Sequence, residues 1–213
     1  MIDKWLSKTK LNQIFEKFVR KLFYKKISAN QLTILALSIG LLSALSIFLS
    51  GFLIWKIELV ICAAILMGIS FFIDVLDGAL ARIEEPTIFG GILDIFSDRT
   101  VEVFIIISLI STDPLILMWP GILSLGAIVL CISMFLLVGG AVKAEDLEET
   151  KKVIYYRAGL MERSETLIFL LLVIILIPLR SIILWIFFFL VMITALLRLR
   201  DAYIIFKISS LLN

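Results

Sequence analysis

Apolar stretches of about 20 residues, each long enough to cross a bilayer as a helix, recur along this chain and leave it few folds to choose from. They fall at 31–53, 58–77, 92–111, 114–142, 166–178 (extended at either end) and 181–205. With 62% hydrophobic residues and a mean hydropathy of +1.13, the chain does not read as a soluble domain. The fold expected is therefore all-α: a polytopic integral membrane protein of six transmembrane helices. The fifth stretch is short and the fourth long, so a different division of this region stays open. No internal repeat, low-complexity tract or separate soluble domain interrupts the pattern.

Charge fixes an expected orientation. Lys4, Lys8, Lys10, Lys17, Arg20, Lys21, Lys25 and Lys26 precede the first stretch, and Lys143, Lys151, Lys152, Arg157 and Arg163 flank the loop after the fourth. Arg198, Arg200 and Lys207 end or follow the sixth, whereas the opposite side keeps only Lys56 and Arg180. The positive-inside rule then puts both termini in the cytoplasm of a cell-membrane protein. Residues 1–30 form the first of two expected units, a juxtamembrane segment in which Trp5, Leu6, Leu11, Ile14, Phe15, Phe18, Leu22 and Phe23 recur at helical spacing between lysines. This pattern predicts an amphipathic interfacial helix and not a cleaved signal peptide. It either shapes lipid access or simply anchors the chain. Residues 31–213 form the six-helix catalytic unit.

Against this apolar background stand four acids: Asp74, Asp77, Asp94 and Asp98. A carboxylate at the centre of a bilayer costs about 2.5–3.5 kcal/mol on translocon scales, so four together need a polar cavity and a positive counter-charge. The spacings i, i+3 and i, i+4 project each pair from one helix face. The segment Glu84-Glu85-Pro86-Thr87 can reverse the chain so that the pairs meet at one depth. Hard divalent cations suit such an oxygen-rich cluster. Gly78, Gly90 and Gly91 keep the surroundings open to close approach. The chain contains no histidine, which excludes a Ser-His-Asp triad and any histidine-ligated metal or haem. Cys62 and Cys131 lack metal-ligand spacing and read as small core residues.

These residues resemble the signature of the CDP-alcohol phosphotransferases (CDP-alcohol phosphatidyltransferases), Asp-x-x-Asp-Gly-x-x-Ala-Arg, a spacer, then Gly-x-x-x-Asp-x-x-x-Asp. Asp74, Asp77, Gly78, Ala81, Arg82, Gly90, Asp94 and Asp98 meet every fixed position, with a spacer of seven residues where the family more often has eight. The resemblance implies a phospholipid-synthesising transferase. It would move a phosphatidyl-type group from a CDP-lipid to a polar alcohol and release CMP. It implies Mg²⁺ or Mn²⁺, two ions, held by Asp74, Asp77, Asp94 and Asp98, with Asp98 also the general base. Asn30, Thr33, Gly78, Arg82 and Thr87 would contact the donor. Asn30 and Thr33 lie in a segment where Ala29 replaces the family's proline, and helix capping is their alternative role.

Lys143, Arg157 and Arg163 resemble acceptor-phosphate positions, although Ala141 and Thr166 stand where two further basic residues belong. Inositol phosphate and glycerol 3-phosphate are both open as acceptors, and solvated inside-positive charge is the alternative for these three residues. A homodimer in membrane lipid is implied, with no nucleic-acid partner. Arg99 and Glu102 are expected to pair with each other. The competing functional class is a membrane cation transporter, since intramembrane carboxylates also mark ion paths. Gly78, Ala81 and Arg82 have no required role in such a path, and the outward continuation through Ile105-Ile106-Ile107 is apolar.

Overall fold

The structure, a computed structural model, describes residues 19–20, 26–84, 86–144, 161 and 163–212. The expected amphipathic segment lies almost entirely outside the described residues, as does Arg157. Among the described residues the architecture is all-helical, with helices where the apolar stretches place them. These are α1 (Ala29–Ser50), α2 (Lys56–Glu84), α3 (Ile88–Thr112), α4 (Pro114–Ala144), α5 (Arg163–Ile175) and α6 (Arg180–Leu212). A single 3₁₀ turn, Ile177–Leu179, joins the last two. Four segments are long and apolar enough to cross a membrane: α1, α2, residues 114–140 of α4 and residues 177–204 into α6. The other two are marked by what they carry. Asp94, Asp98, Arg99 and Glu102 interrupt the apolar run of α3, and α5 has only 13 residues.

Helix ends follow local chemistry. Ser28 caps α1: its hydroxyl accepts from the Gln31 amide while the Gln31 side chain accepts from the Ser28 amide. This reciprocal box satisfies two otherwise orphaned donors. Asn30 and Thr33 are thus not the caps of this helix. The second stretch continues seven residues beyond the expected end at Asp77, because neither Asp77 nor Gly78 breaks a helix that packs on both sides. It stops at Glu84, where Pro86 disfavours helical backbone in the residue before it. Thr87 opens α3, its hydroxyl accepting from the Gly90 amide at 2.9 Å. Pro178 ends the α5 region by withdrawing an amide donor.

Helices α1, α2 and α3 form one tightly packed set, α4 pairs with α6, and α5 bridges α2 to α6. In hydrocarbon, helices associate through close packing and interhelical hydrogen bonds, since lipid tails are as apolar as leucine. Both devices are present. Ser43 Oγ donates to the Ala63 carbonyl at 2.8 Å, and Ser70 Oγ to the Ala36 carbonyl at 2.7 Å, sewing α1 to α2. A Cβ on Gly40 would lie 2.5 Å from Val101 Cγ2 and 3.1 Å from Ser70 Oγ, so α3 presses onto the bare backbone of α1. The core between the helices holds Ile47, Met67, Ile105, Leu109, Leu170, Leu184 and Phe187, all nearly inaccessible. A second cluster at the other end packs Val19 against Leu32, Leu76, Ala79 and Leu80. The outward face carries exposed Ile34, Leu42, Ile61, Ile65, Phe72, Trp119 and Phe189, the surface a lipid-facing bundle requires.

The contact at Gly40 gives a direct test of this packing. Gly40→Ala is expected to destabilise the detergent-solubilised protein by about 1–3 kcal/mol through overpacking, lowering its thermal unfolding midpoint. Val101→Ala in the same chain should restore most of the loss, because the clash is with the two Val101 methyls.

Candidate active site

Helices α2 and α3 carry the acids of the site. Both α2 and α3 pack against α1, and the acids at 74 and 94–98 arrive at one level. Asp74, Asp94 and Asp98 each offer a carboxylate oxygen, and these oxygens lie within 4.8 Å of one another. All three are half-buried. Asp77 is not within that trio. It is buried to 3% exposure beside Thr33, and its Oδ2 has no hydrogen-bond partner. A buried carboxylate oxygen without a donor is expensive to leave unmade.

Positive charge reaches the trio from a residue far away in sequence. Arg163, the first residue of α5, places its guanidinium on all three aspartates. Its Nη2 donates to Asp98 Oδ1 at 2.7 Å and to Asp94 Oδ1 at 3.1 Å, and also contacts Asp74 Oδ1. Its Nη1 donates to Asp94 Oδ2 at 3.2 Å. The spacing of local motifs gives no hint of this contact, which joins α5 to acids 65–89 residues away. Below the trio, Ala36, Leu37, Met67, Ser70, Phe71, Ser97, Val101 and Leu167 close a small cavity that Asp74 and Asp98 top. One turn deeper on α3, Glu102 is buried and ion-paired with Arg99, as the i, i+3 spacing leads one to expect.

The trio's chemistry fits a divalent cation. Its donors are hard oxygens, they converge, and Asp77 adds an unpartnered oxygen on the adjoining turn of α2. Beside the carboxylates, two of the expected donor contacts come together. A Cβ on Gly90 would sit 2.9 Å from Thr87 Oγ1 and 3.1 Å from Asn30 Oδ1, so the starts of α1 and α3 meet across a bare glycine. Glu84 Oε2 accepts from the Ala29 amide at 3.3 Å and ties the same corner together. Thr33 is buried, its hydroxyl donating to the Ala29 carbonyl. Arg82 is exposed on the last turn of α2, with an Nη 3.8 Å from where a Gly78 Cβ would be. Of the expected acceptor residues, Lys143 lies on the last turn of α4, its side chain undescribed, and Arg163 sits on the carboxylates.

Comparison with known proteins places this geometry. A family model described as CDP-alcohol phosphatidyltransferase matches residues 26–197. Among solved structures, the fold is similar to that of Mycobacterium tuberculosis phosphatidylinositol phosphate synthase (PgsA1) with CDP-DAG bound. That likeness has a TM-score of 0.66 at 22% identity and covers 90% of this chain and 94% of that one. The same protein in complex with manganese and citrate gives a TM-score of 0.66 at 22% identity, over 89% of this chain and 88% of that one. These likenesses show a shared fold. None of the curated proteins matches this chain in sequence.

The carboxylate trio makes a binding experiment decisive. The purified chain is expected to bind Mn²⁺, followed by the loss of the free-ion signal in electron paramagnetic resonance. Removing even an outer-shell partner commonly weakens a metal site about 10–100-fold, so Asp94→Asn should weaken binding at least that much while the helical circular dichroism spectrum stays the same.

Proposed function

This chain belongs to the CDP-alcohol phosphatidyltransferase family, and we propose that it transfers a phosphatidyl-type group from a CDP-lipid to a phosphorylated polar alcohol, releasing CMP. The observation that carries the reading is the convergence of Asp74, Asp94 and Asp98, with Asp77 behind them, at one end of a bundle of hydrocarbon-length helices. Membership in this family replaces the cation-transporter alternative. The mainly apolar lining of the cavity beneath the acids, with Ser70 and Ser97 its neutral polar members, agrees with it, since an ion path would need a continuous polar route beyond that point.

In this reading Asp74, Asp77, Asp94 and Asp98 hold divalent metal, Mg²⁺ or Mn²⁺, as two ions. The bound ions supply charge neutralisation to the donor pyrophosphate and to the leaving CMP. Asn30, Thr33, Gly78, Arg82 and Thr87 line the donor. The bare backbone at Gly78 admits the nucleotide, and the planar fork of Arg82 suits a phosphate. Asp98 takes the proton of the acceptor hydroxyl as its oxygen attacks the lipid-side phosphorus. The new O–P bond forms as the bond from phosphorus to the CMP oxygen breaks. Lys143, Arg157 and Arg163 hold the acceptor phosphate, with inositol phosphate and glycerol 3-phosphate the two candidates.

The helix lengths support a site near one membrane face. At 1.5 Å per residue, Asp74 lies about 27 Å along α2 from Lys56, and Asp94 about 27 Å along α3 from Thr112, against a hydrocarbon core of about 30 Å. The acids thus stand where water, nucleotide and lipid headgroups meet. All six helices are read as crossing the membrane, α3 and α5 sheltered by the others. Basic residues around the N-terminus and the loop after α4 favour the cytoplasmic side for this face and for both termini. The protein is read as a homodimer in the cell membrane.

Two outcomes test the chemistry. Incubation with CDP-lipid and a panel of alcohols should release CMP only with divalent metal present; full turnover in verified metal-free buffer would remove the mechanism. Asp98→Asn should abolish most turnover while CDP-lipid binding is partly kept.

The acceptor assignment has its own test. Each charge-assisted hydrogen bond contributes about 1.5–3 kcal/mol, so Lys143→Gln or Arg157→Gln should raise the acceptor KM about ten- to a hundredfold and leave the donor KM nearly unchanged. Equal rates with the phosphorylated and unphosphorylated forms of one alcohol would remove the anion pocket.

A further inference from the structure

The guanidinium of Arg163 and a metal ion cannot occupy the same carboxylate oxygens. We propose that Arg163 is a displaceable plug: it holds Asp74, Asp94 and Asp98 together until a divalent cation loads them, and it is then released toward the acceptor. The inference rests on the reading of these aspartates as metal ligands.

The geometry favours displacement over coexistence. Nη2 of Arg163 is shared among three carboxylates, yet it carries only two protons. The Nε of the same side chain is buried with no hydrogen-bond partner. One guanidinium nitrogen thus serves three carboxylates through an oversubscribed set of bonds. A divalent ion brings twice the charge to the same oxygens, and carboxylates are its preferred ligands. The residue's place in the fold also permits the change. Arg163 opens α5, and just ahead of it the Met161 amide donates to Thr194 Oγ1 at 3.1 Å, which fixes the backbone to α6. Release therefore needs a new side-chain rotamer and leaves the bundle as it is.

The plug has a consequence for the order of events. With Arg163 in place, Asp98 Oδ1 accepts from a guanidinium at 2.7 Å and faces a cation instead of a hydroxyl. Its proton-accepting role starts only when Arg163 leaves. The freed guanidinium is then available to an acceptor phosphate. Metal loading and assembly of the anion pocket become one event, and an acceptor that arrives before metal finds its arginine engaged.

The test uses the full-length chain in detergent and two readouts. Mn²⁺ affinity, measured by paramagnetic resonance, should rise at least about tenfold in Arg163→Gln, since the charge-assisted bonds that compete with the ion are gone. Arg163→Lys keeps the charge without the fork and should fall between Gln and the parent; it stands in if the Gln chain does not fold. The second readout is the reaction of Arg163 with hydroxyphenylglyoxal, scored by mass spectrometry of its peptide. Mn²⁺ should accelerate that reaction severalfold in the parent and leave Asp94→Asn unaffected. Mn²⁺ binding with Arg163 no more reactive, or Arg163→Gln with unchanged or weaker Mn²⁺ affinity, would overturn the plug alone. A parent chain that binds no Mn²⁺ would overturn the metal reading and the plug with it.

Discussion

Like charges held close together in a low-dielectric bundle demand a counter-charge, and the arrangement of this protein follows from that demand. The acids of α2 and α3 repel one another across a gap of a few ångströms. In bulk water that repulsion would be strongly screened; between half-buried groups of a helical bundle it is screened less. The reversal between α2 and α3 is useful only because something cationic reaches the acids. In the structure that something is the guanidinium at the head of α5. The same demand recurs one turn deeper, where Arg99 balances the buried Glu102.

Around this electrostatic centre the bundle divides its work. Helices α1, α2 and α3 are locked by serine-to-carbonyl bonds and by backbone contact at Gly40, so the acids are carried on elements that cannot drift. The start of α1 meets the start of α3 across Gly90, bringing Asn30 and Thr87 to one corner beside the acids. The polar corner, the carboxylates and the lipid-facing exterior are thus carried by the same three helices. An enzyme that joins a nucleotide-linked lipid to a water-soluble alcohol needs that adjacency, because neither substrate can enter the other's phase.

Much of this was legible in the sequence, for physical reasons that can be named. Long apolar runs have one solution in hydrocarbon, and the helices stand where those runs lie. The pairs Asp74/Asp77 and Asp94/Asp98 announced a shared face through helical periodicity, and Arg99 with Glu102 did so for the same reason. Signals of that kind are local. They failed where the determinant was distant or hidden in an end effect. Asp77, grouped with the other three, stands beside Thr33 and outside the closest trio. The cap of α1 is Ser28 with Gln31, not Asn30 or Thr33. Arg163 looked like an acceptor contact or a solvated charge, because nothing within its own segment reveals the acids it meets across the bundle. Arg180 entered only as one of two charges on the sparsely charged side, and it is buried.

That buried arginine has a mechanical meaning. Arg180 Nε donates to the Val173 carbonyl and its Nη2 to the Ile174 carbonyl, both at 3.1 Å, while Nη1 reaches Thr112 Oγ1 at 3.3 Å. It grips the last carbonyls of α5 and bolts them to the end of α3. The short helix is about 20 Å long, gripped at one end by Arg180 and anchored at the other through the Met161 amide on Thr194. With both ends of α5 pinned, Arg163 is presented to the acids from a fixed backbone.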